Sequence, residues 1–69
     1  MKVYKDKRGW RYKVMPGIGI PMTYKARYNK PSGGSWKCVR TLPWRDSVAE
    51  AEKDLAAYAA RHKMQVIKE

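Results

Sequence analysis

The sequence has no phenylalanine, one cysteine, one histidine and only six acidic residues among its 69 positions. The single thiol, Cys38, cannot form an internal disulfide, so no oxidising compartment is implied, and its alternating position predicts a small buried side chain. No apolar run approaches the ~20 residues that span a bilayer, and the basic N-terminus lacks the apolar block of a signal peptide. We therefore expect a soluble intracellular protein, cytoplasmic and not in a membrane.

The scarcity of histidine, cysteine and acids also bears on catalysis. An active site needs convergent acids, a nucleophile with its base, or a set of metal ligands. His62 is expected near the end of a helix, and most of the acids fall on the outer face of that helix. A chain this short forms one domain and buries only roughly 60% of its unfolded surface. We predict no enzyme, no catalytic residue, no metal site, no cofactor and no small-molecule substrate.

Positive charge is abundant and unevenly distributed. The chain has 16 Lys and Arg residues and a formal net charge of +10. Residues 1–45 contain twelve basic residues and one acid, a net charge of +11, whereas residues 46–69 contain four basic residues and five acids, a net charge of −1. An evenly solvated surface would not separate the charges in this way, so the positive field belongs to the first part and favours a polyanionic partner.

Three segments between residues 10 and 42 alternate apolar and polar or basic side chains. They are Trp10–Met15, Met22–Tyr28 and Ser35–Leu42. Because successive side chains of a strand point to opposite faces, this alternation predicts three strands with one apolar and one cationic face. The apolar face is predicted to collect Trp10, Tyr12, Val14, Met22, Tyr24, Ala26, Tyr28, Trp36, Cys38 and Leu42. We interpret its aromatic residues as core rather than as stacking platforms for bases.

The connections between these segments are rich in proline and glycine, at 16–21 and 29–34. Ile18 and Ile20 are unusual in a loop. They either cap one end of the core, the interpretation we favour, or form an exposed apolar tip. Trp44, just before the helix, either covers the core edge or lies exposed, and the sequence does not separate these alternatives.

Residues 46–63 are predicted to form a helix. Ser47 as N-cap places Glu50 at the third helical position, the spacing of a capping box. An apolar stripe follows at three- and four-residue spacing: Val48, Ala51, Leu55, Tyr58, Ala59 and His62. The predicted fold is α+β, a three-stranded antiparallel sheet at 10–42 packed on one C-terminal helix (β-β-β-α). Residues 1–9 are predicted to form a basic arm, in which Val3-Tyr4 can be a short extended piece. Residues 64–69 are predicted to form a tail that either adds a short edge strand or frays.

The cationic face of the sheet is the candidate binding surface. Its expected members, standing in rows over a patch of roughly 10 by 13 Å, are Arg11, Lys13, Lys25, Arg27 and Lys37. Flanking candidates are Arg8, Lys7, Lys30 and Arg40, the last only if a bulge or an early strand end turns it outward. A ribbon of strands can enter the DNA major groove, where Arg reads guanine and Lys meets phosphate.

Four segments carry a resemblance to a known group of domains: Arg8–Val14, Tyr24–Tyr28, Trp36-Lys37 and Ser47–Leu55. They are similar to the sheet-plus-helix domains at the N-terminus of tyrosine integrases, which bind DNA arm sites, and to plant ethylene-response-factor domains of the same fold. The resemblance implies that the sheet enters the major groove and assigns DNA contact to Arg11, Lys13, Lys25, Arg27 and Lys37. Both loops look longer than in those domains, and an integrase would continue beyond this chain. We expect an integrase fragment or a stand-alone phage or mobile-element protein.

These observations predict a non-enzymatic module that binds double-stranded DNA. One alternative is an RNA-binding module that uses the same surface. The other is a small phage-type interaction factor that docks on an acidic protein surface, with Ile18, Ile20 and Trp44 as exposed anchors. The target sequence, the oligomeric state and the biological process stay open.

Overall fold

Five strands and one helix make up the fold of the part of the chain that the structure describes. The computed structural model describes residues 2–68; Met1 and Glu69, which belong to the predicted arm and tail, lie outside that range. In chain order the elements are β1 (Val3–Lys5), β2 (Arg11–Pro16), β3 (Tyr24–Asn29), β4 (Lys37–Cys38), α1 (Val48–Arg61) and β5 (Gln65–Lys68). The strands form one antiparallel sheet in the order β4-β3-β2-β1-β5. The α+β class with one C-terminal helix is confirmed.

The sheet has five strands where the sequence predicted three. β1 falls in the predicted arm and β5 in the predicted tail. β1 lies between β2 and β5 in the sheet, with Tyr4 opposite Tyr12 of β2 and opposite Val66 of β5. Tyr4 is buried in the core. Three or four residues show too little alternation to indicate a strand by pattern, so this pairing depends on a tertiary contact that the sequence does not display.

β2 and β3 form the hairpin that organises the sheet. They pair without interruption from Arg11 opposite Asn29 to Pro16 opposite Tyr24. β2 ends at Pro16, which has no N–H for a further ladder bond. The Gly17 N–H then donates to the Thr23 carbonyl at 2.7 Å and closes the hairpin. The predicted segments therefore lie within two residues of the observed strands.

α1 begins where the sequence predicted. Ser47 is the N-cap, and its Oγ accepts a hydrogen bond from the Glu50 N–H at 3.2 Å. That bond satisfies one of the backbone donors left free at a helix start. The helix ends at Arg61, two residues before the predicted end, because Lys63 takes a left-handed φ of 55° that does not continue a right-handed helix.

The core lies between α1 and one face of the sheet. α1 buries three residues of its predicted apolar stripe, and the other buried side chains come from the strands and the segment after β4. The buried apolar residues are Tyr4, Tyr12, Val14, Ala26, Val39, Leu42, Ala51, Leu55 and Ala59. Tyr12 also contacts the ring of Tyr58 on α1, with the centroids 6.0 Å apart. In the described range, 2–68, no helix has the length and apolar character needed to cross a bilayer.

The third predicted strand is much shorter than expected, and its faces are inverted. In β4, Lys37 lies opposite Tyr28 and Cys38 lies opposite Arg27. Residues directly opposed in an antiparallel pair share a face of the sheet. Lys37 is therefore on the side of Tyr28, which faces α1, and Cys38 is on the side of Arg27. The placement of Lys37 on the cationic face was wrong.

The inversion follows from the side chains available in this segment. Both phases of residues 36–39 contain an apolar residue, so alternation alone does not select one. Val39 is buried in the core, and its N–H donates to the Ala26 carbonyl at 3.0 Å. With Val39 inward, Trp36 and Cys38 turn to the opposite side. Their predicted place on the apolar face was wrong for the same reason.

Candidate nucleic-acid interface

The side of the sheet that faces away from α1 carries four of the predicted basic residues. Arg11 and Lys13 come from β2, Lys25 and Arg27 come from β3, and Lys13 lies directly opposite Arg27. We call the part of this surface formed by β2, β3, the β4 segment and Trp44 the open face; its members are Arg11, Lys13, Met15, Lys25, Arg27, Trp36, Cys38 and Trp44. β2, β3 and β4 contain no Asp or Glu, so their cations have no carboxylate beside them in these strands.

Trp36 lies over the cations at one end of the open face. Its ring centroid is 4.7 Å from Lys13 Nζ and 5.9 Å from Arg11 Cζ. Such contacts place a cation in the negative potential of the indole face. The side chain predicted as core therefore belongs to the cationic surface.

Trp44 occupies the other end of the open face. Lys25 Nζ lies 5.4 Å from its ring centroid, and 45% of its surface is exposed. Its indole packs on the backbone of Gly17, where a Cβ atom would lie 2.5 Å from the indole Cζ3. Of the two alternatives predicted for Trp44, the exposed position is the one observed.

Arg45 fixes the chain that carries Trp44. Its backbone pairs with Tyr24, the two N–H···O bonds measuring 2.7 and 2.8 Å. Its guanidinium donates to both oxygens of Asp54 on α1, at 2.7 and 3.1 Å. The hydrogen bonds to Asp54, followed by the charge of that carboxylate, raise the pKa of Arg45 above its usual value. The bonds of Arg45 to β3 and to α1 thus fix the position of the neighbouring Trp44.

A buried amide shapes the opposite end. Asn29, on β3, is buried; its Oδ1 accepts from Arg11 Nη2 at 2.8 Å and its Nδ2 donates to the Gly34 carbonyl at 2.8 Å. Arg11 is thereby oriented, and the loop that leads to Trp36 is tied to the sheet. Sequence reasoning missed Asn29, since it counted the residue only as part of a turn.

Arg27 stands at the middle of the open face. Its Nη2 donates to the Pro16 carbonyl at 3.4 Å. Within residues 2–68, its buried Nε has no hydrogen-bond partner. A guanidinium carries five N–H donors. One of its four Nη donors is used on Pro16, so within the described residues the other Nη donors remain for a ligand, whereas the buried Nε–H cannot reach one.

Two of the flanking candidates surround Trp10 instead. Arg8 Cζ lies 3.6 Å and Lys30 Nζ 5.1 Å from its ring centroid. The ring also stacks on Tyr28 at 5.3 Å. We call Arg8, Trp10, Tyr28 and Lys30 the Trp10 cluster. Because Tyr28 lies opposite Tyr12, this cluster and the neighbouring Lys37 belong to the α1 side of the sheet.

The last two flanking candidates lie in turns. Lys7 is exposed between β1 and β2, and Arg40 is exposed after β4. β4 ends at Cys38, earlier than predicted, and its faces are inverted, so Arg40 lies exposed in the turn that follows. The structure thus divides the nine predicted residues into four on the open face and five elsewhere.

Asp6 ties the chain before β2 to the sheet. Its Oδ1 accepts from the backbone N–H groups of Arg8 and Trp10, and its Oδ2 accepts from the Arg8 guanidinium and the Tyr12 hydroxyl at 2.9 Å each. Burial alone would raise the pKa of Asp6, but these hydrogen bonds outweigh it and lower that pKa below 3.8. Burial, followed by the bond to Asp6, raises the pKa of Tyr12 to about 12.

The connection between β2 and β3 ends in an apolar tip. Ile18 and Ile20 are 103% and 102% exposed, and Met22 is half exposed. The interpretation that the two isoleucines cap the core was wrong, because the hairpin closes at Gly17 and carries them beyond its last paired residues.

Among the described residues, no group of three His, Cys, Asp or Glu side chains could hold a metal ion. Comparison of the chain with family models, with curated proteins and with solved structures finds no match.

Proposed function

We propose that this chain is a non-enzymatic module that binds double-stranded DNA through the open face. The observation that supports this most strongly is the set of Arg11, Lys13, Lys25 and Arg27 on the uncovered side of a sheet whose central strands carry no acid. Lysines supply the phosphate contacts that dominate affinity, and arginines can read guanine bidentately. The function resembles that of integrase arm-binding domains and would be exercised on DNA in the cytoplasm.

The dimensions of the hairpin suit the major groove. Paired strands lie about 4.8 Å apart, and the groove is about 12 Å wide. Two strands with their side chains can therefore enter it, with α1 on the side away from the DNA. Trp36 and Trp44 would then border the groove beside the cations and exclude water from the phosphate contacts.

The test compares two double variants of equal charge change. Lys13→Gln with Lys25→Gln removes two cations of the open face, and Lys30→Gln with Lys37→Gln removes two from the α1 side. Fluorescence anisotropy with a labelled duplex gives the affinity at several salt concentrations. We expect the first variant to bind more weakly and to reduce the salt slope by about 2, since each phosphate contact contributes roughly 0.9. Equal effects of the two variants, or a larger effect of the second, would contradict binding through the open face.

Single-stranded RNA is the second candidate, favoured by the exposed indole of Trp44. Unpaired bases stack on aromatic rings, whereas the deep, narrow major groove of A-form RNA does not admit a sheet. Competition separates the two. Displacement of the duplex by unlabelled duplex but only weakly by single strands supports DNA, and the reverse order supports RNA.

A further inference from the structure

Among residues 2–68, the most exposed large apolar side chains lie at the end of the hairpin that carries the cations. Ile18 and Ile20 make no packing contact that covers them. Around Gly19, between them, an added Cβ would meet nothing within 4 Å, and its φ of 132° is one that L side chains rarely adopt. The tip is thus a narrow strip of backbone with two isoleucines.

The tip is placed to reach the groove beside the one that the open face occupies. From the Lys13–Arg27 pair to the last pair, Pro16–Tyr24, there are three residues, about 10 Å of strand. The rim of the major groove lies only about 6 Å from its middle. A hairpin that lies obliquely in the groove, with Lys13 and Arg27 at its centre, therefore carries Ile18 and Ile20 past one phosphate rim to the adjoining minor groove.

We propose that Ile18 and Ile20 form a wedge that enters the minor groove of the bound duplex, partly unstacks one base step and bends the DNA. This inference rests on the proposed function of the open face. Apolar side chains at the minor groove insert between base steps in this way in architectural proteins. Pyrimidine–purine steps such as TA unstack most readily, so the wedge would favour them.

The distribution of charge favours DNA over a lipid surface as the occupant. A membrane that received the tip end-on would meet Lys25 first, while the Lys13–Arg27 pair and then Arg11 lie progressively further along the strands. A duplex that lies along the open face contacts all four cations and the tip at once. The open face and the tip together therefore fit a long polyanion with an apolar interior. A DNA duplex, with its phosphates outside and its stacked bases inside, has this character.

The experiment uses a duplex of about 24 base pairs with one central TA step. A donor and an acceptor dye at its ends report bending, and 2-aminopurine at the TA step reports unstacking. The test variant is Ile18→Ala with Ile20→Ala. The matched control is Val66→Ala with Ile67→Ala, which removes two exposed apolar side chains from β5 at the far edge of the sheet.

At saturating protein, we expect the parent and the β5 control to raise both energy transfer and 2-aminopurine fluorescence. The tip variant should still bind in a salt-dependent manner but lose both signals. Retention of both signals by the tip variant, or their absence from the saturated parent complex, would overturn the wedge while leaving the proposed function standing. Failure of the parent to bind the duplex would overturn both. Tip-dependent flotation with anionic phosphatidylserine vesicles, without bending of DNA, would overturn the wedge in favour of a lipid surface.

Discussion

Single residues decide how the aromatic part of the open face is held. Gly17 is needed not for an unusual backbone angle but for the space above it, which the indole of Trp44 fills. Lys25 approaches the same ring. A glycine in a loop that otherwise reads as a flexible connection thus has a specific packing role.

Gly17→Ala should move the indole. A methyl group 2.5 Å from Cζ3 is closer than packed atoms allow, so Trp44 must turn away or the loop must shift. We expect a loss of about 1 kcal/mol in the free energy of unfolding and a red-shifted tryptophan emission. Urea titration and fluorescence measure the two effects. In the background of Trp44→Ala the same glycine substitution should cost much less, and an equal cost there would refute the contact.

Asp6 should make the stability of the fold sensitive to acid. Its pKa is lower in the folded protein than 3.8, so its contribution is present above that value and is lost as the pH falls below it. Asp6→Asn should lower the free energy of unfolding at pH 7 by about 1–2 kcal/mol, because bonds to a charged acceptor are lost. Between pH 7 and pH 3, the variant should also lose less of its free energy of unfolding than the parent does. Asp46→Asn, at an exposed acid, is the control, and equal acid dependence of Asp6→Asn and the parent would rule out this role.

Among the elements, β4 is the one whose orientation the sequence did not determine. In β2 and β3 one phase contains the basic residues and the other the apolar ones, so alternation predicts the faces correctly. Around β4 each phase of residues 36–39 contains an apolar residue, and the burial of Val39 decides between them. β1 and β5 were beyond prediction as firm strands because each is stable only against its neighbours. The same holds for the residues of the site. The cations of β2 and β3 were predicted correctly as neighbours, whereas the positions of Trp36, Lys37 and Asn29 depend on tertiary contacts that the sequence does not display.

The orientation of β4 can be tested by stability. Val39→Ala removes two methyl groups from the core and should cost about 2 kcal/mol of unfolding free energy. Cys38→Ala changes a half-buried residue on the open face and should cost much less. Thermal or urea unfolding compares the two variants. A larger cost of Cys38→Ala than of Val39→Ala would contradict this orientation and indicate that Cys38 faces the core.

The two sides of the sheet differ in their balance of charge, because the open face carries cations without acids whereas the α1 side combines acids with cations such as Arg8, Lys30 and Lys37. The hairpin presents cations on the open face, and α1 carries Glu50, Glu52 and Asp54, with Asp54 in the ion pair with Arg45. Such an asymmetric field orients the protein before contact, with the sheet toward a polyanion and the helix away from it. The Trp10 cluster is on the α1 side, so it would contact phosphates only at the border of the interface.

The measurement to make first is a backbone-amide NMR titration with a duplex of about 15 base pairs at low salt. If the open face binds DNA, the largest shifts will fall on Arg11, Lys13, Lys25 and Arg27, and the outer face of α1 will stay unchanged. These shifts will diminish as salt is added. Shifts confined to α1 or to the Trp10 cluster, with β2 and β3 unaffected, would contradict binding through the open face.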